Sequence, residues 1–405
     1  MKTFIYLYVK AFSDFGSRMD MIALNAMIYM KTGSVAWLSA AMIASMIGGI
    51  AASFASGLAA DKWNRKTIMI VSDVLRGVAI LFLIFYPNPV FILIVRFASG
   101  FIASFFQVSY TAEIPQIYGS GNILKTNAII SRLGSISMVL GFLIGGLCYE
   151  AFGYATVLFI DALSFLLSAV ILFKLQWDSG LPAQSTVPGG IWEGLLRDLK
   201  ETVKYLRLQP YLMLVFIVYF VDTFGSASHN LGFPLLAEAL RPERQTFIYG
   251  MIWSVWGLGN VLMTYCLPSV KAIQADLHRA YLISTVFMSL GFMSIFISDS
   301  LPIVLLCAFL TGIADACSVT IQSTIVQQCD NHIRGRMAGI SNLLNSIGFG
   351  GGFLVASLLL KQISLSRMVW SLHGIVITSA IIVLVLYIGM VRSSTSLRRK
   401  TEWLP

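Results

Sequence analysis

Long apolar runs alternate with short polar breaks from one end of the chain to the other, and nothing else constrains its fold as strongly. Twelve runs can be read, over residues 6–30, 34–59, 67–86, 90–117, 125–148, 154–175, 210–236, 246–268, 279–298, 301–327, 336–360 and 368–391. About twenty apolar residues cross a bilayer as a helix, so each run is long enough to span once. Composition agrees: 57% hydrophobic residues, 12% charged and a mean hydropathy of +0.80 exclude an ordinary soluble protein. The expected fold class is an all-α membrane protein with twelve transmembrane helices. The first run passes through Asp14, Arg18 and Asp20 without a small-residue cleavage site, so it reads as a helix and not a removable signal.

Charge sets the orientation. With both ends inside, eighteen Lys and Arg residues fall in inner loops and tails, against five in outer loops: Lys31, Arg241, Arg244, Lys361 and Arg367. This asymmetry predicts cytoplasmic termini. It also accounts for the net charge of +9 without nucleic acid as a partner. The five cysteines are scattered, which suggests neither a zinc site nor a disulfide framework.

The break after the second run reads Gly57-Leu-Ala-Ala-Asp61-Lys62-Trp63-Asn64-Arg65-Lys66. Gly57 allows a close helix approach, and Asp61 can accept from the free N–H groups that open the next helix. The stretch resembles the loop between helices two and three of the major facilitator superfamily. Gly57, Asp61, Lys62, Arg65 and Lys66 match that gating motif, and Asn64 replaces a glycine. Arg96 with Gly100 one turn on resembles the family's fourth-helix pattern, whose arginine the resemblance associates with proton coupling. Gly141, Gly145 and Gly146 match the fifth-helix glycine motif of antiporters, whereas Ser137 and Phe142 depart from it. Asn127-Ala128, Ser72-Asp73-Val-Leu-Arg76 and Phe159-Ile-Asp161-Ala-Leu-Ser164-Phe165 are similar to the branch holding bacterial macrolide-efflux and siderophore-export permeases.

That family is built from two six-helix pseudo-repeats. A shift of 210 residues places Ala128, Ile130, Ser131, Leu133 and Gly141 on Ala338, Ile340, Ser341, Leu343 and Gly351. The expected organisation is a first half over 1–175, a cytoplasmic linker over 176–209, a second half over 210–391 and a tail over 392–405. In the linker, Ile191, Leu195, Leu199, Val203 and Leu206 recur every three or four residues, which predicts an amphipathic helix on the inner membrane surface.

Charges inside the runs mark the candidate site, because a charge at mid-membrane costs about 2.5–3.5 kcal/mol on the insertion scale and must face water or the bundle interior. Lys10, Asp14 and Arg18 share one helix face, while Asp20 points elsewhere. Asp73 and Arg76 are expected to pair across one turn. A carboxyl group withdrawn from water can take up and release a proton during a cycle. This makes Asp20, Glu113, Asp222 and Asp315, together with Arg96, the proton-coupling candidates. The substrate-cavity candidates are Asp14, Arg18, Phe15, Tyr110, Phe224, His229, Trp253 and Trp256; His229 reads as a satisfied polar residue, not a metal ligand.

The resemblance implies a secondary transporter that exports a small amphipathic molecule, such as an antibiotic, drug or siderophore, in exchange for protons. It would act as a monomer in a bacterial cytoplasmic membrane, with the lipid bilayer, the substrate and protons as partners and no cofactor. A uniporter or a ferroportin-like metal exporter would keep the fold. A membrane-embedded enzyme would need a clustered nucleophile and base or a metal set, and none is apparent. A sensor would add a soluble domain, for which the tail after Val391 is too short.

Overall fold

A computed structural model describes residues 5–118, 123–177, 204–267, 270–329 and 331–401. Most of the expected amphipathic helix lies outside these residues, and so do the side chains of Asp61, Lys62, Asn127 and Ala128. The helices are α1 (Ile5–Thr32), α2 (Val35–Lys62), α3 (Arg65–Phe85) and α4 (Pro89–Tyr118), followed by a 52-residue helical run, Ile123–Lys174. That run breaks at Gly153, whose φ of 79° suits only glycine, giving α5 (123–152) and α6 (154–174). Then come α7 (Pro210–Leu240), α8 (Gln245–Cys266), a short α9 (Lys271–Ala275), α10 (Leu277–Ile295), α11 (Leu301–Gln327), α12 (Asn331–Leu359) and α13 (Leu365–Thr401).

Twelve of these are long, and no strand occurs among the described residues. In the lipid interior every backbone group must find its partner within the protein, and a helix supplies those bonds locally. Nine described segments are apolar and long enough to cross a membrane; one of them, Ile129–Lys174, is 46 residues and contains both α5 and α6. Neither α1, with its four internal charges, nor α10 is among the nine. Local signals set the ends. Gly33, at φ 58°, stops α1, Asn64 caps α3 through Thr67 N at 3.1 Å, and Asp276 caps α10 through Arg279 N at 3.0 Å.

The chain divides into two compact units, Met1–Thr186 with Leu231–Gly257, and Val187–Asn230 with Leu258–Pro405. In the first, α1 and α5 run parallel: Ser137 Oγ donates to the Ala11 carbonyl at 2.7 Å, and Gly145 leaves room for Met19. Helix α6 runs against both α1 and α3, with Tyr6 bonded to Ser168 at 3.2 Å and Lys66 donating to the Leu175 carbonyl at 2.5 Å. The second unit repeats the pattern. Asn345 reaches Tyr219 at 3.2 Å between parallel α12 and α7, while Tyr387 reaches Asp276 at 2.9 Å between antiparallel α13 and α10.

The repeat extends to individual backbone atoms. A Cβ at Gly48 on α2 would strike the Phe97 carbonyl and crowd Phe101 N on α4. A Cβ at Gly259 on α8 would strike the Phe309 carbonyl and crowd Ile313 N on α11. Gly100 meets the Ser45 carbonyl in the same way. By contrast, a Cβ at Gly57 would have no neighbour within 4 Å among the described residues. The close approach expected at Gly57 is therefore found half a helix away, at Gly48 and Gly100.

Candidate functional site

In the first unit the buried charges gather around α1. Asp20 is 7% exposed, and its Oδ2 lies 3.8 Å from Arg96 Nη1 on α4. Arg96 Nη2 donates to Asn25 Oδ1 at 3.0 Å, and Asn25 Nδ2 donates to the Tyr249 hydroxyl at 3.2 Å. One guanidinium thus joins a carboxylate to an amide, and the amide continues to α8. Gly100, one turn beyond Arg96, lets α4 press against α2 and fixes the height of the arginine.

Beside this chain lies a polar cavity of about 420 Å³, lined among others by Lys10, Asp14, Ser17, Arg18, Arg76 and Gln107. Lys10 and Asp14 form a salt bridge along α1, as their spacing predicts. Arg18 opens to the cavity and lies 5.9 Å from the Phe142 ring centre. The expected Asp73–Arg76 pair does not form. Arg76 sits over the face of Phe165 on α6, its guanidinium carbon 3.9 Å from the ring centre, and buried Asp73 and Asp161 stand near it without a salt bridge. A flat guanidinium stacks on an aromatic ring at little desolvation cost, which favours this placement.

Glu113 is fully buried but lies at the loop between α2 and α3. Its Oε2 accepts from Trp177 Nε1 at 2.7 Å, and its Oε1 lies 3.7 Å from Arg65. Arg65 Nε also donates to the Ala60 carbonyl at 2.8 Å, and Lys66 lies over the Trp177 ring at 4.8 Å. The motif's two described cations therefore clamp α4 and the chain just after α6. Trp177→Phe keeps an aromatic ring, though a smaller one, and removes the donor to Glu113. This substitution is expected to destabilise the protein by about 1.5–3 kcal/mol, measurable by detergent titration; an unchanged transition would show that the clamp carries no energy.

The fifth-helix glycines are contact points. A Cβ at Gly141 would lie 2.6 Å from Arg18 Cβ, one at Gly145 would lie 2.7 Å from Met19 Cα, and one at Gly146 would lie 2.7 Å from the Thr246 carbonyl. The aromatic candidates occupy several environments. Phe15 stacks on Phe12 at 6.1 Å, and Tyr110 lies in a core cluster with Tyr6 and Phe106. Trp253 packs between Phe142, Phe233 and Trp256 at 5.0–5.6 Å. Phe224 lies against Gly351.

The second unit holds its own polar set. Asp222 is 8% exposed and accepts from Ser226 Oγ at 3.4 Å. Asp315 accepts from Asn260 Nδ2 at 3.2 Å, and Gln322 donates to Ser341 at 2.9 Å. No salt bridge reaches either acid among the described residues. His229 is paired with His373, a partner the sequence reading did not single out. Asn25, Tyr249 and Asn260 were also missed. Their signal is a lone amide or hydroxyl in an otherwise apolar run, which marks a helix interior without naming the partner.

An all-α chain that repeats one set of helix contacts, and holds charges among apolar helices beside a polar cavity, is a polytopic membrane protein. Comparison with known proteins gives the family. The Major Facilitator Superfamily model matches residues 9–270 and 215–403. The chain belongs to that superfamily. It is 22% identical over 380 residues to the multidrug efflux pump Tap of Mycobacterium tuberculosis, covering 86% of this chain and 84% of Tap. It is 30% identical over 217 residues to the multi-drug resistance efflux pump PmrA of Streptococcus pneumoniae, covering 51% of this chain and 50% of PmrA. Among solved structures, the nucleoside transporter NupG superposes with a TM-score of 0.71 at 14% identity, over 96% of this chain and 99% of NupG. A bacterial homologue of the lysosomal transporter Spinster, inward-facing and unoccupied, gives 0.65 at 14% identity, over 95% and 94%. At these identities the two structures speak for the fold alone.

Proposed function

We infer that the chain exports a small amphipathic molecule in exchange for protons, by alternating access of one site to the two sides of a bacterial cytoplasmic membrane. The observation that carries this reading is Asp20 beside Arg96: a carboxylate among apolar helices, balanced by an arginine at 3.8 Å, on two helices whose residues Arg18 and Gly100 line a polar cavity. Protonating Asp20 removes the charge that holds Arg96, so one proton can exchange one set of contacts for another. The efflux-pump names of Tap and PmrA support a drug-like cargo, with antibiotics and siderophores as the classes to try.

The candidates then take different roles. Asp20 and Arg96 couple the proton, and Asp14, Arg18 and Phe15 meet the cargo. Asp222 and Asp315 are reserve proton acceptors in the second half, while Glu113 serves the gating loop. The positive-inside bias puts both termini in the cytoplasm. Residues 1–175 and 210–391 form the two halves, joined by 176–209, and one chain is the working unit.

The test is transport in proteoliposomes with a panel of macrolides, siderophores and lipophilic cations, with and without an imposed pH gradient. Gradient-driven movement lost in Asp20→Asn, in a protein that still elutes as a folded monomer, is the expected result. Movement indifferent to the gradient would replace proton exchange with uniport.

A further inference from the structure

His229 on α7 and His373 on α13 are 3% and 0% exposed, and their rings meet: His229 Nδ1 lies 3.1 Å from His373 Nε2. The surrounding bonds fix the tautomers. Asn230 Nδ2 donates to the Ser226 carbonyl at 2.9 Å, which orients its amide, and it lies 3.2 Å from His229 Nε2. His229 Nε2 is therefore the acceptor, and the His229 proton sits on Nδ1. That proton is donated to His373 Nε2, so His373 carries its own proton on Nδ1, an atom buried without a partner.

The third ring is Phe292 on α10. It lies face to face with His229, centres 3.5 Å apart and planes 4° from parallel, and 5.3 Å from His373. Two neutral rings disfavour a face-to-face sandwich, because their electron-rich faces repel. An imidazolium over a phenyl face is attracted by the same electron density. The stack suits a cation better than a neutral pair. Among the described residues the titratable groups against the pair are the two imidazoles themselves; Asp222 lies two turns away along α7, and α10 contributes Phe292.

We propose that His229, His373 and Phe292 form a proton-binding site in the second unit, distinct from the Asp20–Arg96 pair. The incoming proton adds to the lone pair of His229 Nε2 and displaces the Asn230 amide hydrogen. His229 becomes an imidazolium whose Nδ1–H bond to His373 Nε2 is now charge-assisted, and Phe292 holds the cation from above. Asn230 must turn its oxygen to the new N–H, which breaks its bond to the Ser226 carbonyl. This happens at a weak point of α7, since Pro234 cannot supply the amide hydrogen that the Asn230 carbonyl would otherwise accept. Proton binding thereby frees the Ser226 carbonyl of its side-chain donor, one turn beyond Asp222. The physiological purpose of the site rests on the proton-coupled reading above; its existence does not.

The test uses the purified full chain in detergent, with its histidine ring nitrogens isotopically labelled, followed by NMR from pH about 8 to about 4. No substrate is needed. The expected result is a coupling across the Nδ1–Nε2 bond, and one proton taken up by the two rings together. Phe292→Leu should move that step to more acidic pH by about half to one unit, and Asn230→Asp should move it the other way. Rings that titrate independently, or not at all, overturn the proposal, as does a step that neither variant moves. A paired titration in a protein whose transport ignores the pH gradient leaves the site standing and removes only the proton-coupled function.

Discussion

Arg96→Ala is expected to be the costliest single charge deletion in the first unit. It takes from the buried Asp20 carboxylate its salt-bridge partner, and it strips Asn25 Oδ1 of its donor. Removing one member of a buried ion pair costs about 3–5 kcal/mol, most of it the penalty of the stranded charge. The double variant Arg96→Ala with Asp20→Asn should recover much of that loss, because asparagine carries no charge to strand. Arg96→Lys should fall between them, since a lysine cannot bond both Asp20 and Asn25 in the guanidinium's fork. Detergent-titration unfolding of the three variants measures each step. If Arg96→Ala alone is as stable as the unmodified chain, the Asp20–Arg96–Asn25 chain is not a structural unit, and its coupling role fails with it.

The second large effect belongs to the glycine notches. Gly48→Val, Gly100→Val and Gly259→Val should each abolish recovery of folded protein, because the added carbon meets a backbone carbonyl on the neighbouring helix. Overpacking ordinarily costs about 1–3 kcal/mol when side chains can move aside. Here the obstacle is main chain, and relief would require two helices to separate along their length. Gly57→Ala and Gly134→Ala are the controls, since neither glycine has a neighbour within 4 Å of an added Cβ among the described residues. Fluorescence-detected size-exclusion of tagged variants gives the comparison. A monodisperse peak from Gly259→Val would show that the second notch yields where the first does not.

The fold was largely legible because its determinants are local. Span length and proline and glycine breaks each act within a few residues, so the twelve runs lie on the twelve long helices of the described residues. The site was legible only in part. Asp20 and Arg96 could be named one by one, since a charge in an apolar run must be satisfied. Their common partner Asn25, and the Tyr249 hydroxyl 224 positions further on, belong to tertiary packing that no local pattern encodes. The Asp73–Arg76 reading failed for the same reason: spacing allowed the pair, but Phe165 offered Arg76 a better surface from another helix. His229 reads as a satisfied polar residue, but its partner cannot be named because it lies 144 positions away.

The turn at Gly153 has a consequence for how the protein enters its membrane. A single residue separates α5 from α6, and the segment of 46 residues that contains them carries only Glu150 as a charge near the turn. The insertion machinery meets no hydrophilic loop at which the first helix could be released before the second arrives. The pair is expected to enter lipid as a hairpin, and the reversal of direction at this point rests on the backbone freedom of one glycine.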